Sequence, residues 1–422
     1  MSIANKGLAQ LLNIGEPYTL LQQKIGQQHF NTHHFAEMTK GKKYWTFNPR
    51  VGFTTTLQQT DTDAKTPKSS DISTTKNDIQ ASYLKPYAKT TLIYKKNQFD
   101  ANFTLPLSAH FFHLQNRIND TTQKEQFVTF DPMVYANYKM NAAWRINAMA
   151  AYQNSFQNFN QILTGLVVDN YRSIRINNLP IAQSRNFAGS FGLFYRDPLK
   201  SIFTHAQYQY SNGRQPYLLA NQINADGSRE MIVLSKRNTV ETHSLQMKLS
   251  KYVSSIKSTF TTGVDLNYMT GNQILAGEIT QSINRSVTPN GKISSRFGTV
   301  FAMDYQISST WADNQLKKQE RNDFQFLSQS LQCHIYPAKN QYIGLMGEHY
   351  FNKAQNQKTN IFYPDIIYRY SFPKKKIDLQ LSVMNLLDED NFVTTQFNDF
   401  YFYQSIFQIR PRQVLVSVKF QW

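Results

Sequence analysis

Three adjacent carboxylates are the first residues whose types could do chemistry. Asp388, Glu389 and Asp390 follow one another, and hard cations such as Ca²⁺ prefer several oxygen ligands. An acidic run in a loop is more often solvated than bound to a metal. The sequence therefore predicts no metal site here, with calcium binding as the weaker alternative.

Histidine and serine chemistry finds little support in the spacing of these residues. His33 and His34 are adjacent, so in a strand they point to opposite faces and cannot chelate one metal together. The chain lacks Gly-x-Ser-x-Gly, His-Glu-x-x-His and the phosphate-binding Gly-x-x-x-x-Gly-Lys-Ser/Thr. A triad could still assemble across neighbouring strands, because triads are geometric and not sequential. We expect no enzyme and no cofactor, and a barrel enzyme is the less favoured alternative.

Cysteine and charge exclude two further classes of function. Cys333 is the single cysteine, which excludes an internal disulfide and any multi-cysteine metal site. Leu331 and Ile335 share its strand face, so we expect it to meet lipid or barrel wall. The formal net charge is +17, but Lys and Arg are spread along turns and strand faces without a nucleic-acid-binding motif. Anionic lipid headgroups are therefore the expected partner of this charge, and nucleic acid is not.

The elements that would position any site are strands with one apolar and one polar face. Apolar residues recur at every second position, which is the period of a β-strand. The clearest apolar sets are Phe99, Ala101, Phe103, Leu105 and Leu107; Trp144, Ile146, Ala148, Ala150 and Tyr152; Phe260, Thr262, Val264, Leu266 and Tyr268; and Ile377, Leu379, Leu381 and Val383.

The connections alternate between short and long. Short turns are predicted near 40–43, 95–98, 139–142, 197–200, 337–341 and 373–376, and long loops near 59–80, 159–185, 214–239, 270–292 and 388–404. Short periplasmic turns and long external loops are typical of outer-membrane barrels. We predict roughly 14 to 18 strands of about 9 to 11 residues, with either two or three strands between 293 and 336.

The last ten residues form the most informative strand. Val414, Val416, Val418, Phe420 and Trp422 share one face, and only Leu415 interrupts the polar face. Such a strand suits lipid on one side and a wet lumen on the other. The composition agrees, because aromatic residues reach 14% while the mean hydropathy is −0.50 and no span of about 20 apolar residues occurs.

The end of the chain resembles a known family. Asn385-Leu386-Leu387-Asp388 closes the penultimate strand, an aromatic loop covers 397–403, and Arg410-Pro411-Arg412 precedes the last strand. In combination, over roughly the last 50 residues, these elements resemble the end of TonB-dependent receptors. The resemblance is closer to the outer-membrane β-barrel receptors of Bacteroidota.

The resemblance implies a location, partners and an assembly signal. It implies ligand binding and uptake across the bacterial outer membrane, energised by a TonB-type coupler through a plug domain. It also implies that the barrel-assembly machinery reads the last strand, here Val416, Val418, Phe420 and Trp422. The ligand is not named by any pattern, although loop aromatics offer a surface for it, namely Tyr171, Tyr217, Phe400, Tyr401 and Tyr403.

We expect one antiparallel transmembrane β-barrel domain over residues 1–422, with an uncertain start at 1–25. Neither a plug domain nor a signal peptide is recognised. The chain is therefore expected to be the barrel part of a longer precursor or a truncated product, and the barrel is either closed or an incomplete part of a larger one. A plug-free porin, an adhesin and a structural barrel are the alternatives.

Overall fold

Alternating polar and apolar residues form β-strand along most of the chain. The computed structural model describes residues 22–65, 76–118, 120–157, 159, 167–170, 173–175, 181–223, 229–275, 278–317, 321–354, 357–398 and 401–420. Helix is confined to single 3₁₀ turns in these ranges, and none of them is long and apolar enough to cross a membrane. The predicted all-β architecture is confirmed.

A single sheet of 23 strands contains most of the described residues. We count seventeen wall strands in this sheet. In two places, two consecutive segments pair with the same neighbouring strand and are counted as one wall strand, and four other short strands lie in connections. In sheet order the wall strands are β1 (Gln22–Glu37) with β2 (Lys40–Lys42), β3 (Trp45–Lys65), β4 (Asn77–Lys96), β5 (Phe99–Asn116), β6 (Thr121–Phe130) with β7 (Met133–Lys139), β8 (Trp144–Phe156), β11 (Gln183–Asp197), β12 (Ile202–Gln215), β15 (Asn238–Val253), β16 (Ser258–Leu275), β17 (Glu278–Phe297), β18 (Phe301–Leu316), β19 (Asn322–Ile335), β20 (Gln341–Ala354), β21 (Gln357–Phe372), β22 (Ile377–Met384) and β25 (Gln413–Phe420).

Neighbouring wall strands are antiparallel throughout. The remaining strands belong to connections: β9 (Val167–Asn170), β10 (Ser173–Arg175), β13 (Leu218–Ile223), β14 (Arg229–Leu234), β23 (Asn391–Asn398) and β24 (Tyr401–Gln408). The hairpin of β23 and β24 is a separate two-stranded sheet. Within the described residues no pairing joins β1 to β25.

Tight turns join the strands at one end of the wall, as predicted. All six predicted short turns are present, and two more occur at Ser254–Ile256 and at 298–300. Five of these turns place a non-glycine residue at positive φ, a conformation that several types of tight turn require. These residues are Lys43, Asn97, Ser201, Lys257 and Lys376.

The loop predicted at 270–292 is wrong, and the one at 59–80 is partly wrong. β16 and β17 pair continuously from Ser258 to Leu275, and β3 remains paired with β1 as far as Lys65. These three strands are therefore longer than the predicted 9 to 11 residues, with 21 residues in β3, 18 in β16 and 20 in β17. Polar residues in these segments form backbone hydrogen bonds to the neighbouring strand. The alternation of apolar side chains does not reveal these bonds, so the prediction ended the strands too early. Between 293 and 336 the chain holds the end of β17 followed by β18 and β19.

Register gives the wall two chemically different faces. The predicted apolar sets lie together, since Leu379 is paired with Val418, Leu381 with Val416, and Ile146 with Leu193. The alternate residues form a second, polar face. We call these the outer face and the lumen face, because apolar residues face lipid in a membrane barrel.

Candidate membrane wall and lumen sites

The outer face carries an apolar belt of bilayer height. On β3, Trp45, Phe47, Val51, Phe53 and Leu57 are exposed, and the next residues on this face are Gln59, Asp61, Asp63 and Lys65. The apolar part spans 13 positions of a strand, which at a tilt of about 40° is roughly 30 Å. This height equals the hydrocarbon core of a bilayer. The belt and the antiparallel wall are those of an outer-membrane protein, as predicted.

Aromatic pairs mark the short-turn rim of the belt. The Trp45 and Tyr94 rings lie 4.7 Å apart between centroids, and so do the rings of Trp144 and Tyr195. Both pairs are directly opposite each other across neighbouring strands. Amphipathic rings at this depth suit the interface between lipid and water.

The predicted assembly signal lies on the outer face of β25. Val416 is 68% exposed, and Val418 and Phe420 are also exposed. They are paired with Leu381, Leu379 and Ile377 of β22, which share this face. Trp422 lies outside the described residues. Recognition by an assembly machinery stays a prediction.

The residues predicted to form a family motif lie in the turn that leads into the last strand. Asn385 is its centre: Nδ2 donates to the carbonyl oxygens of Glu389 (2.8 Å) and Arg410 (3.1 Å), and Oδ1 accepts from the Glu389 N–H (2.9 Å). Asp388 Oδ1 accepts from the Arg412 N–H at 2.7 Å. The two halves of the motif, separated by more than twenty residues, are thus brought together. Leu386, Leu387 and Pro411 are exposed.

These bonds give the acidic run a structural role in the turn. The Asp388 carboxylate accepts from the backbone N–H of Arg412, whereas Glu389 bonds to the Asn385 side chain through its own backbone N–H and carbonyl. Among the described residues, no three His, Cys, Asp or Glu side chains are grouped to hold a metal ion.

The neighbouring histidines point to opposite faces, as predicted. His33 Nε2 lies 2.8 Å from Tyr87 Oη on the lumen face, whereas the His34 ring lies 5.1 Å from Phe53 on the outer face. Cys333 also faces outward and is half-buried between Met303 and Leu345 of the adjacent strands.

Most of the aromatic residues predicted to bind a ligand lie outside the described part of the structure. Tyr171 and Phe400 fall outside the described residues, as do the side chains of Tyr401 and Tyr403. Tyr217 is half-buried just before β13. The first residues of the hairpin formed by β23 and β24 contact lumen-face tyrosines. Tyr363 Oη donates to the Asn391 carbonyl at 2.8 Å, and the Phe392 ring centroid lies 5.6 Å from that of Tyr350.

An aromatic cluster on the lumen face was not predicted from the sequence. We call it the seam cluster, and its rings are those of Tyr83, His110, Phe112, Phe127 and Phe156. His110 is 4% exposed and Phe112 is 6% exposed. The Phe112 ring centroid lies 4.6 Å from Tyr83 and 5.1 Å from Phe156. Phe159 and Ile181, which follow β8 and precede β11, complete the packing.

A break between β6 and β8 creates this cluster. Both β6 and β7 pair with β5, but only β7 pairs with β8. Asp131 and Pro132 separate β6 from β7, and Asp131 Oδ1 accepts from the backbone and side-chain N–H groups of Asn154 at 2.7 and 2.6 Å. The strands therefore part above Asp131, and aromatic rings cover the opening. Asp131-Pro132, a dipeptide that favours a turn, is the only sequence signal that could have located it.

The seam cluster holds a buried histidine in a fixed hydrogen-bond chain. Thr129 Oγ1 donates to Asp131 Oδ2 (3.1 Å), so His110 Nε2 must donate to Thr129 Oγ1 (2.9 Å). His110 Nδ1 then accepts from Tyr83 Oη at 2.8 Å. Because the Thr129 hydroxyl proton is committed to Asp131, His110 cannot act as its base. The arrangement is therefore structural and does not form a nucleophilic pair.

Comparisons with known proteins give similarity only among solved structures. No protein-family model matches the chain, and no curated protein matches its sequence. The ferric-catecholate import receptor Fiu of E. coli K12 aligns over 94% of this chain and 64% of its own, at 10% identity and a TM-score of 0.44. The chain thus spans less than two thirds of the length of Fiu.

Two further solved structures align over a similar part of the chain. The copper transporter OprC aligns over 94% of this chain and 68% of its own, at 9% identity and a TM-score of 0.48. BauA, the ferric preacinetobactin receptor of Acinetobacter baumannii, aligns over 94% and 80%, at 8% identity and a TM-score of 0.30. These neighbours are TonB-dependent receptor barrels.

Proposed function

We propose that the chain forms the barrel wall of a TonB-dependent receptor, which binds a ligand at the bacterial outer membrane and passes it inward. The observation that carries the proposal is the turn built by Asn385 and Asp388, which joins both halves of the family motif to the last strand. In this proposal a plug domain on the same or another chain connects the wall to a TonB-type coupler. The closer relationship is to the receptors of Bacteroidota.

Lipid and assembly partners follow from the two faces of the wall. The exposed belt requires outer-membrane lipid, since no protein covers it in the described residues. The last strand presents Val416, Val418 and Phe420 on an edge of the sheet, and an exposed edge can be captured by strand addition to another sheet. We assign that capture to the barrel-assembly machinery, with Trp422 as the terminal aromatic of the signal.

A binding role is favoured over an enzymatic one. The buried His110 is held between Tyr83 and Thr129, and the proton of Thr129 is directed to Asp131. Among the described residues, no other histidine side chain forms a hydrogen bond with a threonine or serine hydroxyl. The proposal therefore includes no catalytic step.

The proposed function is tested by localisation and by energy-dependent uptake. The full chain, carried behind an export signal together with a receptor plug, is expressed in a Gram-negative host with or without its TonB-type coupler. We expect a heat-modifiable band in the outer-membrane fraction, and uptake of a radiolabelled ferric chelate or oligosaccharide from a panel only when the coupler is present. Uptake that is equal without the coupler, or a clear open conductance of the chain alone, would instead identify a plug-free porin.

A further inference from the structure

A second lumen site lies near the short-turn end of the wall. It is a concave basin of about 710 Å³, lined by residues of β7, β8, β11, β12, β15 and β16 and of the turn at 141–143. Five of its lining residues can carry positive charge, and none of the lining residues carries a carboxylate. These residues are Lys139, Arg145, Arg196, His205 and Lys248. We call it the basic basin.

The register of five strands brings these charges into one row. Lys139 is directly opposite Arg145, Arg145 is opposite Phe194, Phe194 is opposite His205, and His205 is opposite Lys248. Arg196 stands in the next row, opposite Phe203. Like charges directly opposite each other in a sheet repel and destabilise it. The pair of Lys139 and Arg145 is thus unfavourable unless an anion lies between the two.

Two aromatic rings hold the guanidinium groups in place. The Arg145 guanidinium carbon lies 4.7 Å from the Phe194 ring centroid, and that of Arg196 lies 5.9 Å from the Phe203 centroid. The Phe194 ring is also stacked on His205, with centroids 6.0 Å apart. A guanidinium that lies over a ring keeps its N–H edge available for a planar oxyanion.

The surrounding carboxylates do not neutralise the basin. In the part of the chain that the structure describes, no carboxylate lies within ion-pair distance of Lys139, Arg145, Arg196 or Lys248. The nearest acids in the adjacent row already accept hydrogen bonds from amides. Asp100 accepts from Asn137 at 3.0 Å, and Asp265 accepts from Gln246 at 2.8 Å and from Asn290 at 3.3 Å.

We propose that the basic basin is a binding site for a multivalent oxyanion, a small molecule bearing two or more phosphate or carboxylate groups. Several converging cations satisfy such a ligand, and Arg forms bidentate bonds to either group. The volume lies within the range of small-molecule sites, about 300 to 1,000 Å³. The inference goes beyond the proposed uptake role, because it assigns a ligand class to the lumen wall whether or not transport is energised.

The test is a calorimetric titration of the purified full chain in non-ionic detergent at low salt, with inorganic pyrophosphate as the probe. We expect saturable binding that weakens as NaCl is added, and a loss of affinity of about tenfold for R145Q and for K248Q. K375Q is the matched control, because it removes one charge from an exposed turn distant from the basin, and it should leave the affinity unchanged. Citrate in place of pyrophosphate separates carboxylate from phosphate recognition, and saturable binding of either one supports the site.

Two results would overturn the site. One is the absence of saturable binding of both anions, and the other is an equal loss of affinity in K375Q, which would show attraction to overall charge alone. Heat-modifiable mobility reports folding of each variant. If R145Q does not fold, K248Q carries the test, since Lys248 stands opposite a glycine, Gly263. The titration requires no transport, so its failure is distinguishable from failure of the proposed uptake.

Discussion

The seam cluster and the terminal edge, formed by β22 and β25, present apolar side chains in opposite ways. In the seam cluster, lumen-face rings from β4, β5 and β6 pack on one another and on the Phe156 ring of β8, and Phe112 is almost fully buried. At the terminal edge, Val416 and its neighbours lie open on the outer face. Apolar groups of the seam cluster are therefore stabilised by packing within the protein, whereas those on the outer face require contact with lipid.

The largest effect expected on this contrast comes from removing a buried ring. F112A should lower the free energy of unfolding by about 3 to 5 kcal/mol, because the ring loses its contacts with Tyr83 and Phe156 and leaves a cavity. Urea unfolding of the protein folded in detergent micelles measures the loss. Phe111 is the matched control, since it is the adjacent residue of the same type but faces outward at 40% exposure. Equal losses for F111A and F112A would remove the distinction between the faces.

The next effect tests the lipid-facing side at the terminal edge. V416R should reduce the yield of membrane-inserted protein, because an arginine near the bilayer midplane on the lipid face costs about 2 to 4 kcal/mol. Folding into liposomes, followed by the heat-modifiable band, measures it. S417R is the control, since Ser417 is the next residue and lies on the lumen face opposite Gln380. If V416R inserts as well as S417R, the outer-face assignment of β25 is wrong.

Alternation predicts the terminal edge well but not the seam cluster. Val416, Val418 and Phe420 follow a strict period of two, and register with β22 confirms their common face. Phe112 and Phe127 fall on the face that the same rule calls polar. They are buried because β6 and β8 part at Asp131 and residues from another connection cover the gap. Such long-range packing leaves no periodic signal in the sequence.

The family resemblance identified residues of the terminal turn but not the hydrogen bonds that they form. Asn385 and Asp388 stand out as motif positions, and their bonds to the backbone of residues 410 and 412 appear only in the structure. The basic basin was missed for a similar reason. Its lysines and arginines are separated by up to about a hundred positions in the sequence, and strand register alone aligns them in one row.

Loss of the motif asparagine should have an intermediate effect that is confined to the terminal edge. N385A removes three side-chain hydrogen bonds to the backbone of the turn, which should cost about 2 kcal/mol. Hydrogen exchange should show faster exchange of the β25 amides, while β4 and β5 remain protected. L387A in the same turn, at an exposed position, is the control. Uniform acceleration across all strands would mean that the turn does not act locally.

The smallest expected effect returns to the seam cluster and its hydrogen-bond chain. Y83F keeps the stacked ring but removes the hydroxyl that donates to His110 Nδ1, so a buried acceptor loses its partner at a cost of about 1 kcal/mol. T129V removes the contact on the other side of His110. Because both bonds depend on one tautomer of the imidazole, the urea-derived losses of Y83F and T129V should not add in the double variant. Strict additivity would show that His110 does not couple its two neighbours, and that the aromatic packing alone holds the seam closed.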